Sequence, residues 1–262
     1  KWAYIKKLFS QDGEKVLNSK EFRTFFKTSE EWLVPYAAFC FLRDKYKSAD
    51  FCKWPLYSVY NKSEIEELTS VECKHYEAIA IHYFVQYHLH KQLTEAHEYA
   101  NSKRIILKGD IPIGINRNSV EAWVEPHLFN FEGEAGAPPD DFSEKGQNWG
   151  FPTYRWDVME RDGYSWWRKR FLKMSEYFDS YRIDHILGFF RIWEIPSNAV
   201  EGLLGRFNPS ISMSCDEIRE FGYAIDYERD TEPFINDWVL SEFFGERDRK
   251  STRLNSSHRI RS

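Results

Sequence analysis

The segment from Tyr181 to Pro196, YRIDHILGFFRIWEIP, constrains the chain most. It is a short apolar run that holds one carboxylate, Asp184, between Arg182 and His185, with Gly188 and aromatic residues directly after it. The pattern predicts a strand over 181–186, with Ile183 and Ile186 turned into packed surroundings. There an unpaired carboxylate is expensive to desolvate. Arg182 and His185 supply positive charge or donors beside Asp184, which is expected to keep it ionised. An ionised, oriented carboxylate at a strand end has the properties of a glycosidase nucleophile. The same residues also suit a structural Arg–Asp pair closing a strand.

A chain of 262 residues can form one large domain or a main domain carrying an insertion. Its aromatic content of 18%, with 10 Trp, points either to a heavily aromatic core or to rings displayed to a ligand. Sugars suit exposed rings, because their C–H faces pack on aromatics while their hydroxyls seek polar neighbours; most of the rings are still expected in the core. A net charge of −5 with both signs interspersed leaves no electrostatic footprint for nucleic acid or an anionic membrane. Cys40, Cys52, Cys73 and Cys215 form no C-x-x-C pair and no metal-type spacing, so reduced thiols in a cytoplasmic protein are expected. His82, His88, His90 and His97 do not make an H-E-x-x-H pattern, and neither metal nor cofactor is expected. No segment reaches the roughly 18 consecutive apolar residues of a membrane span.

In chain order, residues 1 to about 104 are expected to be helical. Thr28 and Glu31 have capping-box spacing ahead of an apolar run, with Pro35 expected to kink or delay that helix. Tyr76, Ile79, Ala80, Tyr83, Phe84 and Tyr87 fall on one face of an amphipathic helix. RIILKGDIPIGIN then predicts a buried strand through Ile105–Leu107, Ile111 and Ile113, in which Asp110 is either a second acidic strand end or a turn cap. Val120 to Trp156 is expected to be mostly loop, ordered by its aromatics over a cleft, with Asp140, Asp141, Gln147 and Trp149 as a sugar-contacting set. A helix over 163–178, closed by Asp179 and Ser180, carries a packing stripe of Trp167, Phe171, Met174 and Phe178 and leads into the strand at 181, completing a βαβ unit. Beyond Pro196 the pattern weakens, with short helices expected near Cys215–Phe221 and Asp237–Phe244. The terminal STRLNSSHRIRS has the character of cloning sequence and is set aside.

GDIPI at 109–113, GAPPDDFSEKGQNWGFPTYRW at 136–156 and YRIDHILGFFRIWEIP at 181–196 together resemble the 4-α-glucanotransferases, or amylomaltases, of glycoside hydrolase family 77, most of all the type 2 disproportionating enzymes. The resemblance implies an α/β fold, part of a (β/α)8 TIM barrel with chemistry at the C-terminal strand ends. It implies a helical insert over 1–104, a catalytic region over 105–199 and the start of a second insertion over 200–250; 251–262 is the tail set aside above for its lack of periodicity and its one-sign charge. Asp184 matches the family's nucleophile, Arg182 the arginine beside it and His185 a donor-sugar contact. Asp110 matches the acidic residue of the earlier strand, and Asp140, Gln147 and Trp149 belong to the acceptor-binding loop. Asp141 departs from the pattern, standing where many amylomaltases have an aromatic.

The implied partners are maltose, maltooligosaccharides or glycogen-like glucans, and the implied reaction is retaining transglycosylation. A second carboxyl about 5 to 5.5 Å from the nucleophile protonates the leaving sugar. The family's acid/base glutamate and third aspartate have no matching motif here, so the chain has the character of an internal fragment, inactive alone. A hydrolase of the α-amylase clan and a non-catalytic glucan-binding protein are the rival functions.

Overall fold

The stripe of Tyr76, Ile79, Ala80, Tyr83, Phe84 and Tyr87 forms one face of a helix, Tyr76–Ser102. The structure, a computed structural model, describes residues 1–210 and 212–227 together with 230, 238 and 242. It divides into two units, Lys1–Ser210 and Ile211–Ser262. The first opens with helices α1 (Trp2–Leu17), α2 (Lys20–Tyr46), α3 (Lys62–Leu68) and α4 (Tyr76–Ser102). Leu33, Ala37 and Leu42 of α2 pack with Ile65 of α3 and Ile79 and Ala80 of α4, and all are buried. Each large apolar side chain removed from water in this way contributes about 1.5–3 kcal/mol. A second side of α4 is covered too. Trp2 stacks on His82 with ring centroids 5.4 Å apart, and Phe9 packs on Phe84. Burial pushes the His82 imidazole down to about 4, so it is a neutral ring in a stack.

The start of α2 differs from expectation. Thr28 and Glu31 lie inside the helix, and the N-cap is Ser19, whose Oγ accepts from the Phe22 N–H at 3.2 Å. Pro35 lies within the helix and does not end it. The buried run from Ala37 to Leu42 supplies packing that outweighs one lost backbone bond.

The mixed part of the unit begins at β1 (Lys108–Ile111), three residues later than expected. Ile105 and Ile106 are 55% and 71% exposed, so they are not part of a buried strand. After α5 (Val120–Val124), the stretch expected to be mostly loop is a hairpin of β2 (Phe129–Ala137) and β3 (Gln147–Tyr154). Next come α6 (Trp156–Arg161), α7 (Ser165–Ser175) and β4 (Ser180–Ile183). α7 ends at Ser175, short of the expected 178, so Phe178 of the expected stripe lies beyond the helix, and Ser180 already belongs to β4. β5 (Ile192–Pro196) and β6 (Arg206–Asn208) complete a four-stranded antiparallel sheet in the order β3-β2-β5-β6.

β1 and β4 form a separate parallel pair, Asp110 opposite Arg182 and Ile111 opposite Ile183, as the expected βαβ connection requires. One face of this pair lies under α7: Gly109 sits against Met174 and Phe178, and Tyr181 packs on Phe171 with centroids 5.3 Å apart. The alternation of the strands then turns Asp110 and Arg182 to the other face. The fold is mixed α/β, and no closed barrel is present among the described residues. Trp123 joins the two parts of the unit, donating from Nε1 to the Tyr57 carbonyl at 2.9 Å and packing edge-on to Trp54 and Tyr60.

The second unit contains α8 (Cys215–Glu220), close to the expected span. Its capping box pairs Ser214 with Glu217. The helix expected at 237–244, apart from Trp238 and Glu242, and the tail at 251–262 lie outside the described residues. All four cysteines are free, and no helix among the described residues is long and apolar enough to cross a membrane.

Asp179 ties the starts of β1 and β4 together. Its Oδ2 accepts from the Leu107 N–H at 2.9 Å, and its Oδ1 lies 3.0 Å from His97 Nε2. The Leu107 N–H, then His97, hold the Asp179 carboxyl below its ordinary value. A depressed carboxylate stabilises the fold above its unfolded value, about pH 4, and that contribution is lost as pH falls through the lower folded value. Asp179→Asn is therefore expected to lower the melting temperature at pH 7, with the gap from wild type closing below about pH 4. Thermal melts across that range test this.

Candidate active site

The parallel register decides where the charges meet. Arg182 reaches across to Asp110 with two bonds, Nε to Oδ1 at 3.2 Å and Nη2 to Oδ2 at 2.6 Å. Nη2 also lies 3.6 Å from Asp184 Oδ1, two residues along the same face. A planar guanidinium is suited to this forked hold, in which a single cation orients two carboxylates.

Asp184 lies one residue past β4, its N–H donating to the Ile111 carbonyl at 3.1 Å. Its side chain is 52% exposed, Ile183 is only half-buried and Ile186 is 48% exposed. The packed surroundings expected around this carboxylate are therefore absent, and so is the desolvation cost. At such exposure an ion pair contributes under about 1 kcal/mol to stability, so the array's consequence is orientation.

His185 follows in the left-handed region at φ 50°, which breaks the strand and starts a 3-10 turn over Ile186–Phe189. Its ring meets Trp149 edge-on, with centroids 5.0 Å apart. Trp149 stacks on Phe151 at 5.8 Å and donates from Nε1 to Gln147 Oε1 at 3.1 Å. Gly114 leaves room for Phe151, since a Cβ there would fall 2.2 Å from the ring. Gly188 does the same for His185, where a Cβ would lie 2.7 Å from Cδ2.

The structure thus joins Asp110, Arg182 and Asp184 in one array and sets His185, Trp149 and Gln147 in a row that begins at the next residue. Asp140 is in neither group. Its Oδ1 accepts from the N–H groups of Phe142 and Ser143, at 3.0 and 2.7 Å, so its carboxylate is used in turning the hairpin. That turn leaves the Phe142 ring 96% exposed at the hairpin tip. Gly114 and Phe151 were not among the expected site residues, and Gly188 was noted only as following the apolar run; the Gly–aromatic spacing that marks them becomes meaningful only once the hairpin crosses the strand end. Among the described residues no cluster of three His, Cys, Asp or Glu side chains suits a metal ion.

The family model described as 4-alpha-glucanotransferase matches residues 1–254. The chain belongs to glycoside hydrolase family 77. It is 50% identical over 245 residues to the 4-alpha-glucanotransferase DPE2 of Oryza sativa, covering 94% of this chain and 26% of the rice protein. It is 36% identical over 215 residues to the 4-alpha-glucanotransferase of Thermus thermophilus, covering 79% of this chain and 43% of that one. Among solved structures it is similar to the amylomaltase of Streptococcus agalactiae in complex with acarbose, with a TM-score of 0.69 and 25% identity over 90% of this chain and 50% of that one. The family 77 chain described here therefore spans about a quarter of the rice relative and less than half of the Thermus one.

Gly188→Ala is expected to push the His185 imidazole away from Trp149. Nuclear Overhauser contacts between the two rings should disappear, while the melting temperature stays close to wild type.

Proposed function

We propose that the whole protein to which these residues belong is a 4-α-glucanotransferase that moves glucosyl or glucanosyl units between α-1,4-glucans by a retaining mechanism. The observation that carries this reading is the Asp110–Arg182–Asp184 array at the ends of two parallel strands, with the His185–Trp149 contact directly beside it. β1 and β4, with α7 on one face, act as neighbouring strands of a (β/α)8 barrel whose inner face carries the array. Residues 1–104 form the helical insert, 105–199 the catalytic region and 200–250 the start of a second insertion.

In the proposed mechanism Asp184 attacks the anomeric carbon, forming a glucosyl ester as the bond to the leaving sugar breaks. A second carboxyl, about 5 to 5.5 Å away, gives its proton to the departing oxygen. Asp110 is not that acid, because both its oxygens are held by Arg182; it steadies the guanidinium that aims Asp184. His185 contacts the donor sugar. Trp149, Gln147 and the exposed Phe142 on the hairpin form the acceptor side, where a ring surface favours a sugar C–H face over water. Asp140 contributes by shaping the hairpin turn. The substrates are maltose, maltooligosaccharides or glycogen-like glucans.

In the complete enzyme Asp184→Asn is expected to lower transfer from maltose by roughly 10³-fold or more. Chromatography of the products should find longer oligomers for wild type and unreacted maltose for the variant. Normal turnover by the variant sinks the assignment of Asp184, and glucose as the sole wild-type product points to hydrolysis instead.

A further inference from the structure

β5 is an apolar strand apart from Glu194, which is 7% exposed between Trp193 and Ile195. A carboxyl in such a place needs partners. It has three, each from a different strand: Thr153 Oγ1 of β3 at 2.5 Å, Asn130 Nδ2 of β2 at 3.2 Å and Asn208 Nδ2 of β6 at 2.9 Å, all donating to Oε2. Gly133 makes room for it, since a Cβ there would fall 2.6 Å from the Glu194 carboxyl carbon.

The tie sits where the backbone ladder fails. Asn130 pairs with Thr153 and Glu134 with Pro152, so β2 advances four residues while β3 steps back one. Pro152 has no N–H to give to a ladder. The ladder resumes after a second shift, at Gly136–Asn148 and Ala137–Gln147; across the irregular stretch side chains help fix how β3 lies on β2, and Asn130 and Thr153, the last matched pair before it, are both held by Glu194. Beyond the shift β3 carries Gln147 and Trp149 to His185.

We propose that Glu194 is a positioning residue that pins the register of the β2–β3 hairpin, and through it the place of Trp149 against His185. Its consequence for transfer rests on the reading of Trp149 as an acceptor contact; the pinning itself does not.

Hydrogen exchange followed by mass spectrometry on the full chain tests the pinning. Thr153→Val keeps the shape and removes the tie from β3, and Glu194→Leu removes all three ties. Both are expected to speed exchange of the 147–151 amides roughly tenfold or more while α2 and α4 keep wild-type rates. Glu194→Gln keeps an acceptor oxygen and should restore protection. Unchanged exchange at 147–151 in both variants overturns the proposal, as does faster exchange spread through α2 and α4, which marks a general stabilising role. In the complete enzyme the same two variants should raise KM for the acceptor roughly tenfold with a smaller change in kcat. If exchange responds and the acceptor KM does not, the pinning stands and the acceptor role of Trp149 falls.

Discussion

The pairing of β1 with β4 places Asp110 opposite Arg182, and the site depends on that register. Side chains alternate along a strand, so a slip of β4 by one residue would turn Arg182 and Asp184 together under α7 and leave Asp110 without its cation. Asp179 guards against this from the other end of the strands by holding the Leu107 N–H and meeting His97 of α4. The helical part of the unit is in this way connected to the charged array: α4 supplies a ring that helps align the two strand starts.

The ion pairs themselves add little to stability. Arg182, Asp110 and Asp184 are all more than half exposed, and water screens their attraction. Stability comes from the two apolar clusters, one among α2, α3 and α4 and one around Ile111, Phe129, Trp167 and Ile192. The division is physically sensible. A packed scaffold fixes the backbone, and an array on its edge stays open to solvent while the guanidinium limits where the carboxylates point. The aromatic hairpin supplies what the array lacks, an apolar wall beside His185.

Much of this was legible in the sequence where periodicity was strong. The face of α4, the stripe of α7 and the strand before Asp184 follow from spacing alone. Legibility failed where local pattern and tertiary context disagreed. FNFEGEAGA has too many glycines and carboxylates to alternate cleanly, and its pairing with β3 is broken by register shifts, so the hairpin resembled a loop. Ile105 and Ile106 have the composition of a buried strand, yet the chain leaves α4 through a left-handed Arg104 and pairs only from Lys108. Pro35 suggested a kinked or delayed helix, and the helix is not delayed, because it starts at Lys20 and carries Pro35 inside it. For the site, strand-end carboxylates could be named from the sequence, whereas the forked hold of Arg182 on Asp110 and the meeting of Trp149 with His185 needed residues far apart in the chain to be brought together. Asp140 shows the converse: its residue type suits sugar binding, and its bonds belong to a turn.

The central claim is that the Asp184 carboxylate bonds to a glucose carbon during turnover. Trapping the complete enzyme with a fluorinated glucosyl fluoride, which slows release of the covalent intermediate, and sequencing the labelled peptide by mass spectrometry tests it most directly. The account predicts one added sugar on the peptide containing Arg182–Asp184–His185, located on Asp184. A label on any other carboxylate, or inversion of the anomeric centre with no covalent adduct, would contradict it.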